Sequence, residues 1–289
     1  MVCPVCHQVN VRVAVSKLRG SRFDVMTCLA CRLEFLHPQP TWEEIKQIYS
    51  QAYYASWDMK DGENQETARM KRRTFSLRLS EIRRHVQAGA VLDIGTATGF
   101  FLDEVVTDPN FEPYGVELSD HAGAIAREKF GADRIHIGTV ETAPFQHGFF
   151  SVVAMSDLLE HVQSPLDTLR SVHKLLKPGG VAMIMTPDST SPSRKVMGAR
   201  WPHFKLEHLF YYSPRAIQIL AGETGFEVVS VERARKTMTL KYLSDQFGIY
   251  RHPILSPISW MSSVVFRPWE HKPLSVTMGE MVVFLKKVA

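Results

Sequence analysis

The chain has 289 residues, 45% apolar and 22% charged, which suits one full core plus a small extra module and excludes a disordered or fibrous chain. Its formal charge of +4 permits an acidic partner without demanding nucleic acid. No signal-type start is visible, and the apolar stretch 254–266 is short and broken by Pro257, so a cytoplasmic protein without a membrane span is expected.

All four cysteines lie in the first tenth or so of the chain: Cys3, Cys6, Cys28 and Cys31. Two C-x2-C pairs, 21 residues apart, place four thiolates on two tight turns that converge on a tetrahedral all-sulfur site, which suits Zn2+. In a cytosolic chain this pattern reads as metal rather than disulfide. The intervening residues are strand-like, Val11 to Ser16 and Phe23 to Thr27, so residues 1–40 read as a zinc ribbon. Four thiolates leave no open coordination position, which makes the ion structural.

Residues 41–87 read as a helical linker or cap. Thr41-Trp42-Glu43-Glu44 has capping-box form and opens a short helix to Tyr49, followed by a turn rich in Tyr53, Tyr54 and Trp57. A long helix is expected from Gln65 to Val86, with Phe75, Leu79, Ile82 and Val86 as its apolar stripe. Its other face carries Arg69, Lys71, Arg72, Arg73, Arg78, Arg83 and Arg84. They read first as a solvated face and second as a guide for an anionic substrate.

From about residue 88 strands and helices alternate, as in a doubly wound α/β sheet. The run Val91-Leu92-Asp93-Ile94-Gly95-Thr96-Ala97-Thr98-Gly99 is a buried strand turning sharply into a helix. Twenty-two residues after Gly95, Glu117 ends a second strand, a spacing that suits the two hydroxyls of a ribose. Ala97 stands where a dinucleotide fingerprint requires its middle glycine. The loop alone also fits another nucleotide fold, or a turn without ligand. A helix from Asp120 to Phe130 and a short strand Ile135–Ile137 follow. The fourth strand, Phe150 to Met155, leads into Ser156-Asp157-Leu158-Leu159-Glu160-His161-Val162. The next helix begins after Ser164 and ends at Leu176-Lys177-Pro178-Gly179-Gly180, ahead of a strand from Val181 to Met185.

The D-x-G-x-x-x-G loop, the acid at 117, and the order strand, LEHV, helix, LKPGG, strand closely resemble the small-molecule branch of the class I S-adenosylmethionine (SAM)-dependent methyltransferases, including the ubiquinone-biosynthesis type. The resemblance covers about residues 90–187. It implies a Rossmann-like seven-stranded sheet over residues 88–289, with inserts at about 188–212 and 236–275. It also implies that Asp93, Gly95, Thr96, Gly99, Glu117, Leu118 and Ser156 contact SAM. Where related enzymes cap the adenine amino group with an acid, Thr139 stands here; backbone at Val140 or the Glu141 side chain would substitute. The long segment after Pro187 contains Trp201, Pro202, His203, Glu207, His208 and Tyr211 and looks like the family's substrate-side insert.

Transfer of a methyl group needs close alignment, exclusion of water and, for a protonated acceptor, a base. The candidates are His161, which follows the fourth strand, and then His208 and His203. Asp157, Glu160 and His161 match an E-x-x-E-H cluster that holds a divalent cation in ubiquinone-type O-methyltransferases. A second metal, Mg2+, is therefore one reading, and local pairing of Glu160 is the other. With every cysteine in the ribbon, none is left for a covalent thiolate adduct, and no Asn/Asp-Pro-Pro-Tyr loop follows the fourth strand. The expected activity is methylation of a small-molecule or sugar-type intermediate, most plausibly at oxygen. An RNA base methyltransferase gripping phosphate with its ribbon is the second reading, and a non-catalytic binding module the third. The aromatics Tyr242, Phe247, Tyr250, Trp260, Phe266 and Trp269 read equally as core, interface or lid.

Overall fold

The computed structural model describes residues 1–41, 43–45, 65–242 and 272–288. Most of the helix expected to end at Tyr49, the Tyr53–Trp57 turn, and the aromatics from Phe247 to Trp269 lie outside these residues.

Three short antiparallel strands build the N-terminal ribbon: β1 (Val11–Val15), β2 (Asp24–Cys28) and β3 (Glu34–His37). His7 and Arg32, each directly after the second cysteine of its pair, have φ of 56° and 64°. The left-handed conformation there closes each knuckle, and a backbone bond from His7 N to Cys3 O and one from Arg32 N to Cys28 O complete the turns. The ribbon sheet does not end with its own three strands. It gains a fourth strand, β9 (Phe210–Tyr211), antiparallel to β3 and supplied by the segment after Pro187.

The main sheet has seven strands in the order β6-β5-β4-β7-β8-β13-β10. They are β4 (Gly89–Ile94), β5 (Phe111–Glu117), β6 (Ile135–Ile137), β7 (Phe150–Ser156), β8 (Leu176–Pro187), β10 (Phe226–Arg233) and β13 (Glu280–Lys287). β6, β5, β4, β7 and β8 run parallel, and β13 is antiparallel to both β8 and β10. The central strands read as near-continuous apolar runs because both faces are covered. β4 and β7 are the neighbours between which the chain switches direction across the sheet. Ligands in open α/β sheets bind beyond the strand ends at such a switch.

The covering helices are α1 (Gln65–Ile82), α2 (Phe100–Val105), α3 (Asp120–Phe130), α4 (Pro165–Leu175), α5 (Pro192–Met197) and α6 (Pro214–Glu223). Ser119, Ser164, Ser191 and Ser213 cap α3 to α6, each accepting a backbone N–H three residues on, and proline opens α4, α5 and α6. α4 stops at Leu175, so the Lys177-Pro178-Gly179-Gly180 stretch, expected as the helix stop, is already in the extended strand β8. A small hairpin of β11 (Lys236–Thr239) and β12 (Pro273–Val276) stands apart from the main sheet and against α1.

The basic face of α1 is only partly solvated. Arg78 is fully buried, with Nη1 2.8 Å from Glu81 and Nη2 donating to the Arg235 carbonyl at 2.8 Å. Arg83 pairs with Asp108 and Arg84 with Glu232. Burial pushes the Glu81 carboxyl up and the Arg78 guanidinium down, and each holds the other in charged form. Removing one partner strands the other charge. Arg78→Met is therefore expected to lower unfolding stability by about 3 kcal/mol in urea titration, with a smaller loss when Glu81→Gln is added.

Candidate active site

One large cavity, about 1130 Å³, opens over the ends of β4, β5 and β7 and extends beneath the insert and the β11–β12 hairpin. Its floor is the glycine loop. Gly95 (φ 78°) and Ala97 (φ 49°) take left-handed conformations, and a Cβ on Gly95 would lie 3.1 Å from Leu158. Gly99 does something different from its expected role. It does not line the cavity; its φ is 89° and a Cβ there would lie 2.3 Å from the Phe130 ring, so it lets the start of α2 pack on the end of α3.

Asp93, Gly95, Thr96, Glu117, Leu118, Val140, Glu141 and Ser156 all line the cavity, as does Thr139. The Glu117 carboxylate is fixed by two backbone donors, Ala97 N on Oε2 and Ser119 N on Oε1, both at 2.8 Å. It thereby ties the glycine loop to the tip of β5. Burial raises the Glu117 pKa while these backbone bonds pull it back. Burial likewise pushes Asp93 up to about 7, against the lowering effect of the Thr96 hydroxyl. A cationic ligand beside these acids would restore their charge. Glu141 accepts from the Thr168 hydroxyl at 3.0 Å.

The other half of the cavity holds the histidines. His161, His203 and His208 all line it, with ring centroids 4.6 Å apart for His161–His208 and 6.4 Å for His203–His208. The His161 Nδ1–H donates to the Glu207 carbonyl at 2.9 Å, which fixes the tautomer and leaves Nε2 as the basic nitrogen. Burial lowers the His161 pKa to about 4, against the raising effect of that bond and of Asp157, so the ring is neutral at pH 7. His208 is buried and pushed well down, and His203 is lowered. Glu160 is fully buried, and its Oε2 accepts from Thr186 Oγ1 at 3.0 Å. Burial pushes its carboxyl well above the usual range.

Of the two readings of Asp157, Glu160 and His161, the cation site is not assembled from those three residues, and Glu160 pairs locally with Thr186. Asp157, at φ 52°, turns its carboxylate to Lys236 Nζ at 3.1 Å. The close group is Glu160, His161 and His208, whose ligand atoms lie within 4.8 Å of one another. Lys236 also pairs with Glu280, at the start of β13, and the two carboxylates raise its pKa against burial. Sequence reasoning missed Lys236 and Glu280, because neither carries a motif. They meet only through the antiparallel β13 and the hairpin.

A neutral histidine folded at pKa about 4 has a stability signature. Between that value and the unfolded 6.5 the unfolded chain binds more protons, so His161's contribution is complete above pH 6.5 and is lost as pH falls toward 4. His161→Asn is expected to flatten the fall in melting temperature between pH 6.5 and 4.5. An unchanged slope would mean that the ring titrates normally.

In the ribbon, Cys3 Sγ lies 3.6 Å from Cys31 Sγ and Cys6 Sγ 3.5 Å from Cys28 Sγ, and all four sulfurs fall within 4.8 Å of one another. Sulfurs about 2.3 Å from a tetrahedral zinc stand about 3.8 Å apart, so the cluster has the size of a zinc cage. The ribbon is bonded to the cavity's outer wall. Ser213 Oγ donates to the Cys31 carbonyl, Ser189 Oγ to the Arg32 carbonyl, and Arg194 forks onto Glu34 at 2.8 and 2.9 Å.

This strand order, with its cavity over the glycine loop and the acid-tipped second strand, defines the class I SAM-dependent methyltransferase fold. A family model described as a methyltransferase domain matches residues 65–231, more than half of the chain, and the chain belongs to that family. The demethylmenaquinone methyltransferase of Chlorobaculum parvum is 30% identical over 122 residues, 42% of this chain and 47% of that enzyme. The ubiquinone biosynthesis O-methyltransferase of Nitrosospira multiformis is 29% identical over 169 residues, 54% of this chain and 70% of the enzyme. That of Pseudomonas aeruginosa strain LESB58 is 32% identical over 153 residues, 49% and 66% of the two chains. The chain thus spans under half the length of the first of these relatives. Among solved structures, the YcgJ protein of Bacillus subtilis superposes with a TM-score of 0.51 at 14% identity, covering 75% of this chain and 99% of its own. Such a likeness speaks to the fold alone. Among the described residues no helix is long and apolar enough to cross a membrane.

Proposed function

We propose that the protein transfers a methyl group from SAM to a hydroxyl oxygen of a small-molecule or sugar-type intermediate, in the cytoplasm, and that the four cysteines hold a structural Zn2+. The observation that carries the reading is the single cavity that joins the SAM-type loop to a neutral, tautomer-fixed histidine. Bound SAM would supply an activated methyl on a sulfonium. Two lining hydroxyls, Thr98 Oγ1 and Ser156 Oγ, are buried without a hydrogen-bond partner among the described residues, which suits a polar ligand across the loop. In this reading Glu117 accepts from the ribose hydroxyls. Asp93 faces the cationic amino acid end, and Leu118, Val140 and Glu141 border the adenine. His161 Nε2 takes the proton from the acceptor hydroxyl, and its bond to Glu207 holds the ring in line. His208 and His203 shape the water-poor wall beside it.

Two of the relatives are named O-methyltransferases of ubiquinone biosynthesis, which supports oxygen as the acceptor atom here, while the demethylmenaquinone methyltransferase name gives no acceptor atom. Incubating the protein with SAM and a panel of phenols, catechols and hexoses, while following release of S-adenosylhomocysteine, tests the reading. Turnover that falls at least about 100-fold in His161→Gln, with SAM affinity kept, supports it. Methylation confined to RNA would replace it.

A further inference from the structure

We propose that Arg19, on the ribbon loop between β1 and β2, is a positioning residue for His161, acting through the segment that orients the imidazole. The proposal rests on the methyltransferase reading and adds a residue to it. The ring is held by the Glu207 carbonyl, and Glu207 belongs to the insert rather than to the strand end that presents His161. The imidazole is therefore only as fixed as the stretch from Phe204 to Leu209. The ribbon grips that stretch on both sides. Arg19 Nε donates to the Phe204 carbonyl at 2.7 Å, three residues before Glu207. Leu36 N donates to the Leu209 carbonyl at 3.0 Å, two residues after it, where the β3–β9 pairing begins.

The second grip is backbone and continues a sheet. The first is a single side chain, and the local backbone is shaped for its reach. Lys17 and Arg19 take left-handed conformations, φ 48° and 52°, on either side of the buried Leu18. Such a conformation is costly for residues with a Cβ, and neither residue belongs to a cysteine knuckle. It lets Leu18 stay in the ribbon core while Arg19 turns to the insert. Phe204 is fully buried beside Trp201 and Tyr211, with ring centroids 5.3 and 4.9 Å away, so its carbonyl moves only with its neighbours. Without the charge-assisted bond from Arg19, the Glu207 carbonyl drifts from Nδ1, and the ring no longer keeps its proton there. A proton on Nε2 removes the base. The glycine loop is tied to Glu117 by its own bond, so SAM binding does not depend on Arg19.

Nitrogen-15 NMR of the histidine rings, on the metal-replete full chain without ligand, reads the tautomer; His161→Gln assigns the signal. In the wild type the His161 proton is expected on Nδ1. Arg19→Met should move part of the population to Nε2. It should also lower kcat by about 10- to 100-fold on whichever phenol, catechol or hexose the wild type turns over, with KM for SAM, calorimetric SAM affinity and metal content unchanged. Arg19→Lys, which keeps a donor on a similar stem, should recover most of both. An unchanged tautomer in Arg19→Met overturns the proposal. So does a loss of metal or of SAM affinity in that variant, which would make Arg19 a prop of the fold. A wild type that binds no SAM overturns the methyltransferase reading instead, and the tautomer still decides what Arg19 does.

Discussion

Glu117→Ala is expected to lower SAM affinity by at least about 100-fold, measured by calorimetry, and to leave the ribbon and its metal content unchanged. Two effects add. The ribose would lose a carboxylate acceptor, and a hydrogen bond to a charged group contributes about 1.5–3 kcal/mol, or roughly 10- to 100-fold in binding. The glycine loop would also lose its tether, because the same carboxylate holds the amides of Ala97 and Ser119. Glu117→Gln separates the two. Its amide oxygen can still accept from one backbone N–H, so most of the loop geometry should persist while affinity still drops about tenfold or more. If Glu117→Ala binds SAM like the wild type, the ligand does not lie across the ends of β4 and β5.

The second large effect concerns the knuckles. Cys28→Ser is expected to abolish metal binding and unfold residues 1–40. Apparent metal contributions to zinc-finger folding are about 10–16 kcal/mol near pH 7, more than so small a core supplies by itself. Metal analysis and hydrogen exchange would follow it. Amides of β1, β2 and β3 should lose protection, and so should those around β9, because Phe35 and Phe210 face each other across the β3–β9 pairing. Amides of β4 and β5 should stay protected, and SAM binding should survive. A variant that keeps both its metal and its protection would show that Cys28 is dispensable to the cage.

Those expectations show which parts of the molecule a sequence can announce. The four-cysteine cluster was legible because C-x2-C spacing reports a local turn, and the positive φ at His7 and Arg32 closes those turns within a few residues. The glycine loop and Glu117 were legible for the same reason: strand, turn and helix lie next to one another in the chain. Gly99 shows the limit of such reading. Its place in the motif was clear, but its contact with Phe130 depends on how α3 returns against the loop. Which of the two readings of the acidic set held was likewise decided at a distance. Asp157 and Glu160 are three residues apart, yet Lys236, 79 residues after Asp157, claims the first, while the second is buried against Thr186. Arg78 looked like one of a row of surface cations and became the buried partner of Glu81. In each case a long-range neighbour, absent from any local pattern, decided the side chain's role.

The pairing of β3 with β9 has a consequence for how the chain comes to be made. The ribbon leaves the ribosome well before its fourth strand, which is encoded about 170 residues later. Until Phe210 emerges, β3 carries an open backbone edge beside the buried Phe35 and Leu36, a surface prone to pairing with other chains. The ribbon is therefore no detachable leader. A fragment beginning near residue 41 would inherit the mirror-image exposure on Phe210 and Tyr211, and it should aggregate more readily than the full chain while its folded fraction still binds SAM.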